Sequence, residues 1–163
     1  MLKKLFVLPL IFLMLCGCTQ KKNTIPILNN ISFIAEINYS NDKFVCESSL
    51  SDGDLKLIVK EPAEIKDLIL VANKNGVAAE FMGVSYNADI ISLPQRALAK
   101  LLFNILTDIC NNESVTCDDG NCKITGRVDC YKYVFDFSPS GLPISLEVDE
   151  LDLKIDFKNV TVN

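Results

Sequence analysis

The side chains in this chain best suited to covalent chemistry are its seven cysteines, and one of them stands in a context that the others lack. Cys18 follows Leu15, Cys16 and Gly17 at the end of an apolar run from Leu5 to Leu15, which is itself preceded by Lys3 and Lys4. A positive start, an apolar stretch and a small residue before a cut are the parts of a segment that directs export and is then removed. The run is too short to stay behind as a membrane-spanning helix. A thiolate is the nucleophile through which cysteine accepts covalent groups, so a cut after Gly17 would leave Cys18 as a modifiable first residue. Cys16 is a rival acceptor, but a cut before it would put the bulky Leu15 at the small-residue position.

Leu15-Cys16-Gly17-Cys18 resembles the lipobox of bacterial lipoproteins. The resemblance implies a diacylglyceryl thioether on Cys18, cleavage in front of it, and a palmitate-type lipid anchor. It also implies a place in the bacterial cell envelope, on the extracytoplasmic side of a membrane. An ordinary secretory signal and a buried N-terminal helix are the other readings that the residues leave open.

Five further cysteines follow, Cys46, Cys110, Cys117, Cys122 and Cys130. If Asp119-Gly120 is a two-residue turn, Asp118 faces Asn121 as a hydrogen-bonded pair and Cys117 faces Cys122 at the closer, non-hydrogen-bonded position. That separation lies within the span of a disulfide. Cys110 with Cys130 is a second, weaker pairing. Reduced, buried thiols are the competing reading. A metal site is disfavoured because no Cys-x-x-Cys knuckle is present, and Asp118-Asp119-Gly120-Asn121 lacks the alternating oxygen ligands of a calcium loop. No metal and no cofactor are expected.

Composition removes other chemistry. The chain of 163 residues has no His and no Trp, so Ser-His and Cys-His nucleophile pairs and His-based zinc sites are excluded. No Gly-rich phosphate loop, Gly-x-Ser-x-Gly elbow or suitably placed Ser-x-x-Lys is present, and a non-enzyme is expected. Without Lys3 and Lys4 the 16 basic residues become 14 against 21 acidic ones, a charge of about −7. Nucleic acid and anionic headgroups, which need a basic surface, are poor partners.

The elements that must carry these residues are mostly strands. Residues 18–30, broken by Pro26, read as a lipidated tether, and the stretch from Thr19 to Asn30 would reach about 40 Å when extended. From Ile31, apolar residues recur at every second position. Phe33, Ala35, Ile37 and Tyr39 face one way, against Ser32, Glu36 and Asn38. Asp52-Gly53 and Asn73-Lys74-Asn75-Gly76 mark hairpins. Ser92-Leu93-Pro94-Gln95 fits a capping box, followed by Leu98, Leu101, Leu102, Ile105 and Ile109 at helical spacing, with Phe103 and Leu106 on other faces. Alternation then resumes through Tyr131, Tyr133, Phe135 and Phe137, through Ile144, Leu146 and Val148, and through Leu151, Leu153, Ile155 and Phe157. The fold class expected is α+β, a strongly curved antiparallel sheet of about nine to eleven strands, an incomplete or half β-barrel, enclosing one main apolar helix. The domain plan is a signal peptide over 1–17, the tether over 18–30 and a single half-barrel domain over 31–163.

This order, with Gly141-Leu142-Pro143-Ile144-Ser145-Leu146-Glu147 leading to Ile155-Asp156-Phe157-Lys158-Asn159-Val160, resembles the LolA/LolB/LppX superfamily. That resemblance implies an incomplete barrel whose apolar cavity holds lipid or acyl chains. It also implies an Arg that locks the lid of the soluble carrier, for which this chain offers Arg96 and Arg127. The expected function is therefore a membrane-anchored envelope lipoprotein that binds a hydrophobic ligand. Its cavity lining would be Leu98, Leu101, Leu102, Ile105, Tyr133, Phe135, Leu153 and Ile155. The alternative is a non-catalytic surface or structural interaction lipoprotein whose barrel is filled solid, since an apolar stripe has the same sequence whether it packs or encloses a cavity.

Overall fold

A computed structural model describes residues 22–24, 26–111, 115–118 and 121–163 of the chain. The segment Leu15 to Cys18 and the Asp119-Gly120 turn lie outside the described residues. The strands are β1 (Lys22–Thr24), β2 (Ile31–Tyr39), β3 (Asp42–Ser51), β4 (Asp54–Glu61), β5 (Ile69–Ala72), β6 (Gly76–Phe81) and β7 (Val84–Asp89). After a helix, α1 (Leu98–Cys110), come β8 (Val115–Asp118), β9 (Asn121–Val128), β10 (Tyr131–Phe137), β11 (Pro143–Val148) and β12 (Leu153–Val162). All pair antiparallel in one sheet of twelve strands, ordered β1-β8-β9-β10-β11-β12-β2-β3-β4-β5-β6-β7. Two meanders, β2 to β7 and β8 to β12, meet where β12 pairs with β2, and among the described residues β1 and β7 form the two edges.

The helix forces this sheet to curl. It touches β9 on one side and β4, β5 and β6 on the other, and β9 and β5 stand seven strand spacings apart. Laid flat they would be about 34 Å apart, yet a helix with its side chains is only about 10–12 Å across. Only a sheet wrapped around the helix lets both sides reach it. That enclosure explains a helix apolar on more than one face: Leu101, Leu102, Phe103, Ile105, Leu106 and Ile109 are all buried. Every second residue of each long strand meets them from the concave side, as in Ile31, Phe33, Ala35 and Ile37 of β2 and Tyr133, Phe135 and Phe137 of β10. Phe33, Phe135, Phe137 and Phe157 join in an aromatic cluster with ring centroids 4.6 to 5.2 Å apart.

Several hairpins are two residues long, and their left-handed backbone matches the twist of the strands. Asp52 and Gly53 have φ of 53° and 81°, and Met82 and Gly83 have 51° and 78°. The second turn splits the apolar stretch around Val77 to Val84 into β6 and β7, a division that alternation does not reveal. In the turn from β5 to β6 the Asn73 side-chain oxygen accepts from the amides of Asn75 and Gly76 at 2.9 and 3.2 Å, an Asx-turn. Gly76 also lies so close to the Ala88 carbonyl that no Cβ would fit.

Three expectations change. The sheet begins at Lys22, inside the stretch read as tether, and Ile27 donates its amide to the Gly141 carbonyl at 2.8 Å while Leu28 is buried. Among the described residues the strands accordingly number twelve. The capping box does not form: the Ser92 hydroxyl donates to the Asp89 carbonyl at 2.7 Å, and the helix starts later, behind Ala97, with no side-chain cap. Ser92 is occupied by the turn that leaves β7, and Lys100 reaches back to the Leu93 carbonyl at 2.9 Å. Cys110 and Cys130 do not pair; both are free and exposed.

The register gives the half-barrel two rims. One carries the turns at Asp52–Gly53, Asn73–Asn75 and Ser138–Leu142, the junction Asn29–Asn30, the C-terminal Asn163, and Lys22 opposite Cys117. The other carries the turns at Ser40–Asn41, Met82–Gly83 and Asp129–Cys130 and the short 3-10 turn Asp149–Leu151.

Candidate ligand-binding groove

The eight residues expected to line a cavity are brought together, but as packing. Leu101, Leu102, Ile105, Tyr133, Phe135, Leu153 and Ile155 are buried in one core cluster, and Leu98 is half-buried against it. None of the eight lines the four grooves of about 350 to 420 Å³ described on the surface of residues 26–163. The middle of the concavity is filled by side chains.

Tyr133 shows how this core is held. Its hydroxyl donates to the Asp108 carboxylate at 2.5 Å, tying α1 to β10. Its ring and hydroxyl stand against Gly126 of β9, where a Cβ would collide with them. Burial, then the hydrogen bond given to Asp108, push the Tyr133 phenol far above its ordinary value. At the opposite end of α1, the Tyr39 hydroxyl donates to the Arg96 carbonyl at 2.9 Å, and the Cys130 thiol meets the Gln95 side-chain oxygen at 3.6 Å. The helix and the residues before it are thus tied to β2, to the β9–β10 turn and to β10, and so to each half of the sheet.

Open space lies elsewhere, at the C-terminal half of α1. A groove of about 390 Å³ runs between Phe103, Leu106, Thr107 and Cys110 of the helix and the turns Asp52–Gly53 and Asn73–Asn75. Leu50, Phe103 and Leu106 form its apolar floor, while Asn29, Asp54, Asn73, Lys74 and Asn75 stand at its polar mouth. The other three grooves are lined by the sheet and its turns, without the helix. This volume is near the low end of the range for ligand sites, roughly 300–1,000 Å³.

Helical spacing places Phe103 and Leu106 on faces other than that of Leu98, Leu101 and Leu102, and that divergence was the one sequence signal pointing to the groove. Leu50, at the end of β3, carried no signal of its own. The groove also borders Cys110, whose thiol is raised by burial and so carries less thiolate than an open one. Cys46, buried under the sheet, is pushed up to about 11 by the same cause.

Cys117 and Cys122 are opposite each other in the register of β8 and β9, with Cα atoms 4.1 Å apart, and their sulfurs form a disulfide. Arg96 precedes α1 and Arg127 lies in β9; among the residues lining the groove there is no Arg.

No protein-family model matches the chain, and no curated protein matches it. Among solved structures, it is similar to a LolA superfamily protein, NE2245, from Nitrosomonas europaea, with a TM-score of 0.41 and 10% identity over 85% of this chain and 89% of that one. The description of the fold as an open, curved antiparallel sheet around one helix rests on its own strand order and register.

Proposed function

We propose that this protein is an envelope lipoprotein, anchored through Cys18, that holds one acyl chain of a hydrophobic ligand in the groove beside α1 and performs no catalysis. The observation that carries the reading is an apolar floor of Leu50, Phe103 and Leu106 with a polar mouth. Concave, apolar sites with a few polar groups at the opening are what small hydrophobic ligands occupy. A filled core beneath the rest of the helix favours a second reading, an interaction lipoprotein without a ligand.

Native mass spectrometry separates the two. The chain from residue 19 onward, purified from a lipid-containing host, should carry a bound lipid of one or two chains. A clean apo mass, together with no uptake of a fluorescent fatty acid, would leave the ligand-free reading standing.

A further inference from the structure

Resting on the proposed lipid anchor, we infer that the groove rim of the half-barrel is the face that lies against the bilayer, so that the groove opens directly onto the membrane carrying the protein. The sheet begins at Lys22, four residues after Cys18. Four residues span at most about 14 Å when extended, barely more than the width of a helix. A tether this short does not let the body turn over. It holds next to the membrane the rim on which Lys22 lies.

The register says which rim that is. Lys22 stands opposite Cys117, Cys117 opposite Cys122, and Cys122 opposite Phe137. Each pair is the last or nearly the last of its ladder at the end that carries Ser138–Leu142. From there the same rim continues through Asn30 to the turns Asp52–Gly53 and Asn73–Asn75, which form the mouth of the groove. The described residues of this rim include neutral amides and hydroxyls, such as Asn29, Asn30, Asn73, Asn75 and Ser138, with Lys22, Asp52, Asp54, Lys74 and Asp118 balancing to about −1 among them. Groups of this kind hydrogen-bond at a zwitterionic headgroup layer without needing a basic surface. The occupant of this face is the phospholipid bilayer itself.

Two native thiols report on the orientation. Cys110 borders the groove, and Cys130 sits in the β9–β10 turn on the opposite rim; both are free and exposed. The test uses the full lipidated protein in phosphatidylcholine vesicles and a membrane-impermeant maleimide, beside a variant with about twenty Gly and Ser residues inserted after Gln20. Cys110 should react about tenfold more slowly in the short-tether protein than in the long-tether one, because thiol reactivity follows access, while Cys130 reacts equally in both. Equal rates at Cys110, or protection of Cys130 instead, would overturn the inference.

A further arm keeps the ligand reading separate. A fatty acid added to the vesicle-free chain from residue 19 should slow Cys110 labelling by occupying the groove. Anchor-dependent protection without fatty-acid protection leaves the orientation standing and sinks the ligand reading; the reverse result sinks the orientation alone.

Discussion

Tyr133 is the residue on which the helix and the sheet most plainly depend. Its phenol gives a hydrogen bond to Asp108 across the α1–β10 interface and its ring fills the space that Gly126 leaves open. Folding raises its pKa, so the neutral phenol is the form that the folded state favours. The stabilisation is therefore complete below the unfolded value of about 10 and is lost as pH rises above it toward the higher folded value. Thermal melting from pH 8 to 11 should fall more steeply for the native protein than for Tyr133→Phe, which lacks the ionisable group. At pH 7 the Tyr133→Phe variant should be less stable by about 1.5–3 kcal/mol, the net worth of a hydrogen bond to a charged acceptor. Gly126→Ala should cost about 1–3 kcal/mol in urea denaturation, because the Tyr133 ring is packed on all sides and has no room to retreat. Cys46 needs no such role: burial keeps its thiol neutral, with a pKa of about 11.

Among the elements, β1 depends most on a single neighbour. It pairs with β8, and β8 is secured to β9 by the Cys117–Cys122 bond. A disulfide that closes so short a loop stabilises by about 2 kcal/mol on chain-entropy grounds. The double variant Cys117→Ser with Cys122→Ser should lose about that amount, and its earliest sign should be faster amide exchange in Lys22–Thr24, measured by hydrogen–deuterium exchange. Unchanged protection there would mean that β1 is held by something other than β8. At the other edge, β7 exposes Val84 and Tyr86 on the side that faces the concavity. Sequence alternation made the strands legible because a half-buried sheet repeats every two residues. It missed the Met82-Gly83 turn because Met is not a turn former, and it placed the helix start too early because the Ser92 hydroxyl is spent on the Asp89 carbonyl.

On the scale of the whole molecule, the groove that borders the helix among the described residues lies at its C-terminal half, beside the turns Asp52–Gly53 and Asn73–Asn75. Thr107 is exposed on the groove wall. Thr107→Trp should fill the groove and cut fatty-acid uptake about tenfold while shifting stability by no more than about 0.5 kcal/mol, as surface substitutions do. Unaltered uptake would place the ligand elsewhere. By itself the sequence determined the strand and helix types, the open antiparallel class, the closeness of Cys117 to Cys122 and the apolar character of α1, because each follows from spacing within a few consecutive residues. Only the tertiary structure decided that Leu101, Ile105, Tyr133, Phe135 and Ile155 are packed core, that Leu50, Phe103 and Leu106 floor a groove instead, and that Lys22 shares a rim with its mouth. Whether an apolar stripe packs or encloses space depends on how tightly a twelve-stranded sheet closes around its helix, and that closure is set by residues far apart in the chain.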